Sequence, residues 1–222
     1  MEQTYRLAEH FISINGEGAH AGELAAFIRF RGCNLNCSYC DTKWANSSRT
    51  FAEEYTPEQL ADWVKDKSVT NVTLTGGEPL LQDGIFELIE MLINQGHRVE
   101  IETNGSLALD EFASMEHRPV FTMDYKLDSS NMEQFMQKDN FSLLKPSDTV
   151  KFVAGSISDL ENAVKVINRY SLLDKCHVYF SPVYGKIKPS EIVDFMINNH
   201  LNGVRLQLQM HKFIWEPNRR GV

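Results

Sequence analysis

The sequence predicts an α/β protein: an incomplete TIM-like β/α barrel of about six strands, built as a single domain over residues 1–222. Three observations predict it. Strand-like and helix-like segments alternate along nearly the whole chain, the rhythm of successive β–α units with parallel strands. The chain has 222 residues, short of the roughly 250 that a closed eight-fold barrel takes. No internal repeat, low-complexity tract or linker divides it. Rhythm alone does not separate this barrel from a doubly wound sheet, but in both, ligands gather where strands end and loops begin.

The elements follow in order. Residues 25–31 are short, apolar and aromatic, as a buried strand is. Thr56-Pro57-Glu58-Gln59 reads as an N-cap, a first-turn proline and a capping-box partner, opening a helix through Leu60, Trp63 and Val64. Residues 71–75 form a β-branched strand. Ile85, Leu88, Ile89, Leu92 and Ile93 repeat at helical spacing, and Gly96 stops that helix. Strands follow at 98–103, 120–125 and 149–153. Ser158 with Glu161 reads as a second capping box, opening a helix through Val164, Val166 and Ile167. Residues 177–183 are a strand, 189–201 a helix, and 204–209 a last strand-like segment. Residues 45–55 are polar and loop-like. Residues 129–148 are the least regular region, a lid or a short helical insertion.

Composition narrows the function. Hydrophobic residues are 42% and charged residues 23%, the balance of a soluble globular protein. A formal net charge of −8 excludes broad attraction to nucleic acid. Residues 1–14 lack a charged start followed by an apolar run, and no stretch reaches the roughly 20 apolar residues of a membrane helix. The expected setting is the cytoplasm, with no membrane partner. There, three of the four cysteines crowded into eight residues favour metal ligation over disulfides. Cys176 stands alone and reads as a buried small hydrophobe.

The run Gly32-Cys33-Asn34-Leu35-Asn36-Cys37-Ser38-Tyr39-Cys40-Asp41-Thr42 directly follows the 25–31 strand. Three thiolates in one loop can hold three irons of a cubane cluster and leave the fourth iron open to a ligand. The competing reading is zinc, with His20 or His211 as fourth ligand, although zinc knuckles usually show two Cys/His pairs. On these residues the chain resembles the radical S-adenosylmethionine superfamily, which places this loop after the first barrel strand. The resemblance implies a 4Fe–4S cluster, S-adenosylmethionine bound to its open iron, and hydrogen abstraction by a 5′-deoxyadenosyl radical. Thr75-Gly76-Gly77-Glu78-Pro79 at the end of the 71–75 strand is similar to that superfamily's cofactor-contacting loop. Its glycines are expected to let a ligand approach the backbone. Glu102-Thr103-Asn104-Gly105 ends the next strand, with polar side chains that can bond a ribose or carboxylate. Asp124-Tyr125-Lys126 and Ser181-Pro182 sit at later strand ends.

Phe11-Ile12-Ser13-Ile14-Asn15-Gly16-Glu17-Gly18, Phe27-Ile28-Arg29-Phe30-Arg31-Gly32-Cys33 and Cys40-Asp41-Thr42-Lys43-Trp44 resemble, more closely, the 7-carboxy-7-deazaguanine synthase family. The likeness runs out to Gln209-Met210-His211-Lys212 and Asn218-Arg219-Arg220-Gly221-Val222. It implies a lyase that converts 6-carboxytetrahydropterin to 7-carboxy-7-deazaguanine on the route to queuosine, with magnesium, a homodimer, and an electron donor such as flavodoxin or ferredoxin. Carried over, Ile14, Asn15 and Gly16 would line the pterin, Arg29 would pair with its carboxylate, and Thr75 would contact it. Tyr39, Asp41, Gly77, Asn104, Lys126 and Ser181 would hold S-adenosylmethionine, and Thr42 would offer its hydroxyl to Mg2+. The chain departs from the family pattern at Asn15, where glutamine is usual, and at Asp124-Tyr125, where Ser-Pro is usual. Two other classes carry the same cysteine spacing or count: an activase acting on a protein partner, and a zinc or redox-sensing interaction module.

Overall fold

The computed structural model describes residues 3–47 and 52–222. Its strands are β1 (Tyr5–Ile14), β2 (Leu24–Phe30), β3 (Glu53–Tyr55), β4 (Asn71–Gly76), β5 (Arg98–Thr103), β6 (Val120–Tyr125), β7 (Thr149–Ala154), β8 (His177–Pro182) and β9 (Val204–Leu206). Its helices are α1 (Pro57–Asp66), α2 (Ile85–Asn94), α3 (Asp110–Ala113), α4 (Ile157–Tyr170), α5 (Pro189–Asn198) and α6 (His211–Ile214). The described strands form one sheet in the order β3-β1-β2-β4-β5-β6-β7-β8-β9. From β2 through β4 to β9 every neighbouring pair is parallel. This is the expected incomplete barrel, with the strand-like segment after residue 203 joining as its last strand.

Helix ends follow the local chemistry. Thr56 Oγ1 accepts from the Gln59 N–H at 3.3 Å, and Gln59 returns a bond to the Thr56 N–H at 2.9 Å, the reciprocal box the sequence showed. Gly96 takes φ +89°, and the N–H groups of Gly96 and His97 bond back to the carbonyls of Ile93 and Leu92, a Schellman stop. The cap of α4 lies two residues earlier than expected. Ser156, not Ser158, accepts from the Asp159 N–H, because the Asp159 carboxylate also gathers the N–H groups of Gly155 and Ser129 and so anchors the helix start there. Helix α5 stops at Asn198 rather than 201. His200 turns to φ +50° and Leu201 bonds back to Met196.

Three elements differ from expectation. Strand β1, a stretch to which the sequence assigned no element, pairs antiparallel with β2. Short β3, inside the polar 45–55 stretch, pairs with β1; residues 48–51 of that stretch lie outside the described residues. Strand β9 ends at Leu206 because Gln207 leaves the ladder and clasps Gly18, accepting from its N–H at 2.9 Å and donating to its carbonyl at 3.2 Å. The irregular 129–148 region is a set of short 3-10 turns, the helical-insertion alternative. It packs on the cysteine loop through Ser38, which bonds the carbonyls of Ser129 and Ser130.

Alternation along the strands sorts the side chains. One face of the parallel strands is apolar: Leu74, Ile101, Phe121, Phe152 and Phe180 are fully buried, with Tyr125 stacked on Phe141 and tilted against Phe152. The other face points into the barrel and is polar: Arg29, Thr73, Thr75, Glu100, Glu102, Thr122, Asp124, Lys151 and Ser181. An interior of this kind is a binding chamber and not a packed core. Residues 15–23, linking β1 and β2, cross that interior and reach Gln207 beyond β9 and Ser181 on β8, closing the barrel where strand pairing does not.

Candidate active site

The chamber at the C-terminal ends of the parallel strands has a volume of about 680 Å³. Cys33, Cys37 and Cys40 all line it, with Ile14, Gly16, Arg29, Tyr39, Asp41, Thr42, Thr75, Gly77, Asn104 and Lys126. Of the residues assigned to the cluster, S-adenosylmethionine, the pterin or Mg2+, only Asn15 and Ser181 are not in its lining. Asn15 is buried and accepts from the Thr73 hydroxyl at 2.7 Å. Ser181 is buried and donates to Glu17 at 3.2 Å. Both support the chamber floor from beneath.

The cysteine loop is held by its neighbours. Cys33 Sγ accepts from the Leu35 N–H at 3.4 Å and lies 3.6 Å from Asn104 Nδ2. Tyr39 donates its hydroxyl to the Val153 carbonyl at 3.2 Å. Burial pushes the Cys33 thiol up, and nearby Glu78 and Cys40 add to the shift; burial does the same at Cys37. Such thiols hold their protons more tightly than a free cysteine, and binding a cation offsets that cost. Among the described residues, no three His, Cys, Asp or Glu side chains converge where a single metal ion would sit. Three thiols lining one chamber match a cluster with three protein ligands, whereas a tetrahedral zinc site takes four. His20 is engaged with Glu23 and Arg98 away from the chamber, so it does not join the cysteines. His211 does line the chamber, and burial lowers its pKa, which leaves it neutral near pH 7.

The Thr75–Pro79 loop has a backbone reason for its glycines as well as a place in the chamber lining. A Cβ on Gly76 or Gly77 would fall within 2.2 Å or 1.8 Å of the Phe30 or Gly32 carbonyl oxygen. The backbone already requires the glycines: Gly77 N–H bonds the Phe30 carbonyl and Glu78 N–H the Gly32 carbonyl. That lacing fixes the loop against the start of the cysteine run. Glu78 is turned under, accepting from Thr103 Oγ1 at 2.9 Å and the Asn104 N–H at 2.7 Å. It ties the ends of β4 and β5 together and holds Asn104 at the first cysteine.

A charge ladder crosses the floor. Lys126 meets Asp124 at 2.9 Å, Asp124 meets Lys151 at 2.9 Å, and Lys151 meets Glu17 at 2.9 Å. Burial alone would raise the Asp124 pKa, but the two lysines hold it below the usual range. Beside the ladder, Thr75 donates to Glu102 at 2.6 Å, and burial raises the Glu102 pKa. Arg29 gives its Nε to Glu9 at 2.8 Å. Its two amino nitrogens have no protein partner among the described residues and face the chamber. Thr42 leaves the following 3-10 turn uncapped and sits 3.5 Å from Cys40 Sγ. Asp41 bonds Lys212 at 3.2 Å. Glu9, Glu17 and Lys151 were missed as site residues. For Lys151 the signal was strand alternation along parallel β7, whose polar face is the inside; Glu9, on antiparallel β1, and Glu17, on the β1–β2 loop, had no such signal.

An open parallel barrel with three thiols of one loop at its mouth defines the class, a radical S-adenosylmethionine fold, and the Radical SAM superfamily pattern matches residues 27–197. Two relatives, from Clostridium acetobutylicum and Chlorobaculum tepidum, carry the name 7-carboxy-7-deazaguanine synthase. The first is 53% identical over 98% of this chain and 99% of its own length. The second is 36% identical over 100% and 99%. The chain belongs to the 7-carboxy-7-deazaguanine synthase family. The crystal structure of QueE from Escherichia coli shares the fold, with a TM-score of 0.71 at 22% identity over 94% of this chain and 95% of that one.

Proposed function

We propose that the chain converts 6-carboxy-5,6,7,8-tetrahydropterin to 7-carboxy-7-deazaguanine with ring contraction and release of ammonia, a lyase step in queuosine and related deazapurine biosynthesis. One observation carries this reading: a single chamber joins three cluster-type thiols to a guanidinium with free donors and a floor of paired carboxylates and lysines. When bound, a 4Fe–4S cluster and S-adenosylmethionine supply the electron and the carbon radical for hydrogen abstraction.

The chain's own residues do the rest. Cys33, Cys37 and Cys40 would hold three irons. Tyr39, Asp41, Gly77, Asn104 and Lys126 would border the S-adenosylmethionine. Arg29 presents a fork of donors that fits the substrate carboxylate, with Glu9 fixing its orientation. Ile14, Gly16 and Thr75 would contact the pterin, while Asn15 and Ser181 steady the loop that carries Gly16 and Glu17. The Thr42 hydroxyl is the hard oxygen donor for Mg2+. Neutral His211 and the Glu17–Lys151 pair can accept or donate hydrogen bonds to a polar heterocycle. We read the protein as cytoplasmic, homodimeric, and reduced by a flavodoxin or ferredoxin.

The test is anaerobic reconstitution followed by turnover of 6-carboxytetrahydropterin with and without magnesium, watched by mass spectrometry. The expected result is a product mass lower by one ammonia and a rate that rises with magnesium. Cleavage of S-adenosylmethionine with no such product would reassign the substrate. A colourless protein holding one zinc would remove the enzyme reading altogether.

A further inference from the structure

Residues 217–222 line the chamber but are scarcely attached. Their one backbone bond is local, from the Arg219 N–H to the Glu216 carbonyl. Among the described residues, the hydrogen bonds, ion pairs and ring contacts that join 217–222 to distant parts of the chain reduce to one: the Arg220 guanidinium lies 3.9 Å above the Trp44 ring. Trp44 lies in the short turn Lys43–Asn46 directly after the cysteine loop. The chain ahead of the segment is pinned to that stretch as well, because Lys212 and Gln209 both reach Asp41. Asp41 and Trp44, three residues apart, thus hold residues 209–212 and Arg220 respectively, two stretches of the chamber lining.

We propose that Arg220 and Trp44 are positioning residues for the substrate: their stack latches residues 217–222 over the chamber, so that the wall closes only on a correctly formed cysteine loop. The substrate part of this inference rests on the function proposed above. A guanidinium on an indole face is a suitable latch. It is directional, persists at any working pH because arginine stays charged, and is weak enough at an exposed site to open in each cycle. An open wall admits water to a chamber whose reactive species must be shielded from it.

The experiment uses the reconstituted holoenzyme with Arg220→Met, an exposed position whose change does not threaten folding, together with Trp44→Ala and Trp44→Phe. Trypsin cleavage after Arg219 is expected to accelerate about two- to fivefold in Arg220→Met, with a parallel rise in the KM for the carboxypterin. Binding of S-adenosylmethionine should stay unchanged, and more 5′-deoxyadenosine should form per product. Trp44→Phe, which keeps an aromatic face, should recover part of what Trp44→Ala loses. Wild-type cleavage and KM in Arg220→Met, or equal effects of Phe and Ala at 44, would overturn the latch. Faster cleavage in a protein that never turns over carboxypterin would keep the latch and discard the substrate assignment.

Discussion

Lys151 Nζ stands 2.9 Å from Glu17 Oε2, joining the β1–β2 loop to the seventh strand across 134 residues of sequence. Both side chains are nearly out of water, 6% and 13% exposed, and Asp124 shares the same ammonium. The lysine therefore neutralises two carboxylates that would otherwise repel, and it draws the loop carrying Gly16 onto the chamber floor. Removing one partner of a buried ion pair strands the other, at a cost of about 3–5 kcal/mol. Lys151→Met should lower the unfolding free energy by about that amount in anaerobic denaturant titration. Glu17→Gln, which keeps a neutral hydrogen-bonding group against the lysine, should cost clearly less. Equal losses would mean that the pair contributes by packing and not by charge.

Glu100 lies one layer below, 4% exposed, with one oxygen bonded to Thr122 and the other lacking a hydrogen-bond partner among the described residues. Burial first, then the neighbouring Glu102 and Glu17, push its pKa up to about 7, against the opposing pull of Thr122 and Lys151. The sign follows from linkage. A carboxyl that binds its proton more tightly when folded stabilises the fold below its ordinary pKa, and that contribution is lost as pH rises from about 4.5 through about 7. Glu100→Gln should flatten the fall in stability across this window, by about 3 kcal/mol for a shift of this size. Asp124 acts in the opposite sense, its contribution lost only in acid below the ordinary carboxylate range. Thermal unfolding from pH 5 to pH 8, wild type against Glu100→Gln, is the measurement; parallel curves would show that Glu100 is already ionised at pH 5.

How far the sequence reached depends on the range of the interactions. Local chemistry was legible: the Thr56–Gln59 box, the Gly96 stop and the cysteine loop after β2 each depend on neighbours within a few residues. Strands 98–103 and 120–125 match the structure residue for residue. What escaped was set by distant partners. Strand β1 has no clean alternation, because it pairs on both edges and is half-buried along most of its length. Gln207 leaves its strand for Gly18, 189 residues away. The glycines of the Thr75–Pro79 loop were read correctly as necessary, but the backbone they accommodate belongs to Phe30 and Gly32, a neighbour only in three dimensions.

The four cysteines should separate cleanly. Cys33→Ala, Cys37→Ala and Cys40→Ala should each lose the brown chromophore and about four irons per chain, since a cubane missing one of three protein ligands is not retained. Cys176 is buried at the start of β8 with its thiol on the Leu172 carbonyl and its pKa pushed up to about 12 by burial. Cys176→Ser should keep full iron content and the visible spectrum. Iron analysis and absorbance of anaerobically purified variants decide this, and loss of iron in Cys176→Ser would contradict the assignment.

Arg29 and Glu9 form the sharpest test of how substrate is recognised. They sit opposite each other in the antiparallel β1–β2 register, and the Arg29 Nε bond to Glu9 at 2.8 Å leaves the other guanidinium nitrogens for the chamber. If Glu9 orients the fork and Arg29 grips the carboxylate, the two changes act on one interaction. Arg29→Ala should raise the KM for the carboxylated pterin by about tenfold to a hundredfold, the loss of a charge-assisted hydrogen bond worth about 1.5–3 kcal/mol. Cluster content should stay intact. Glu9→Gln alone should raise KM less, because an amide oxygen still accepts from Nε. The double variant should be no worse than Arg29→Ala, a non-additivity expected of residues that work in series. A uniform loss on carboxylated and decarboxylated pterins alike would instead assign Arg29 to holding the barrel wall, with Glu9 as its structural counter-ion.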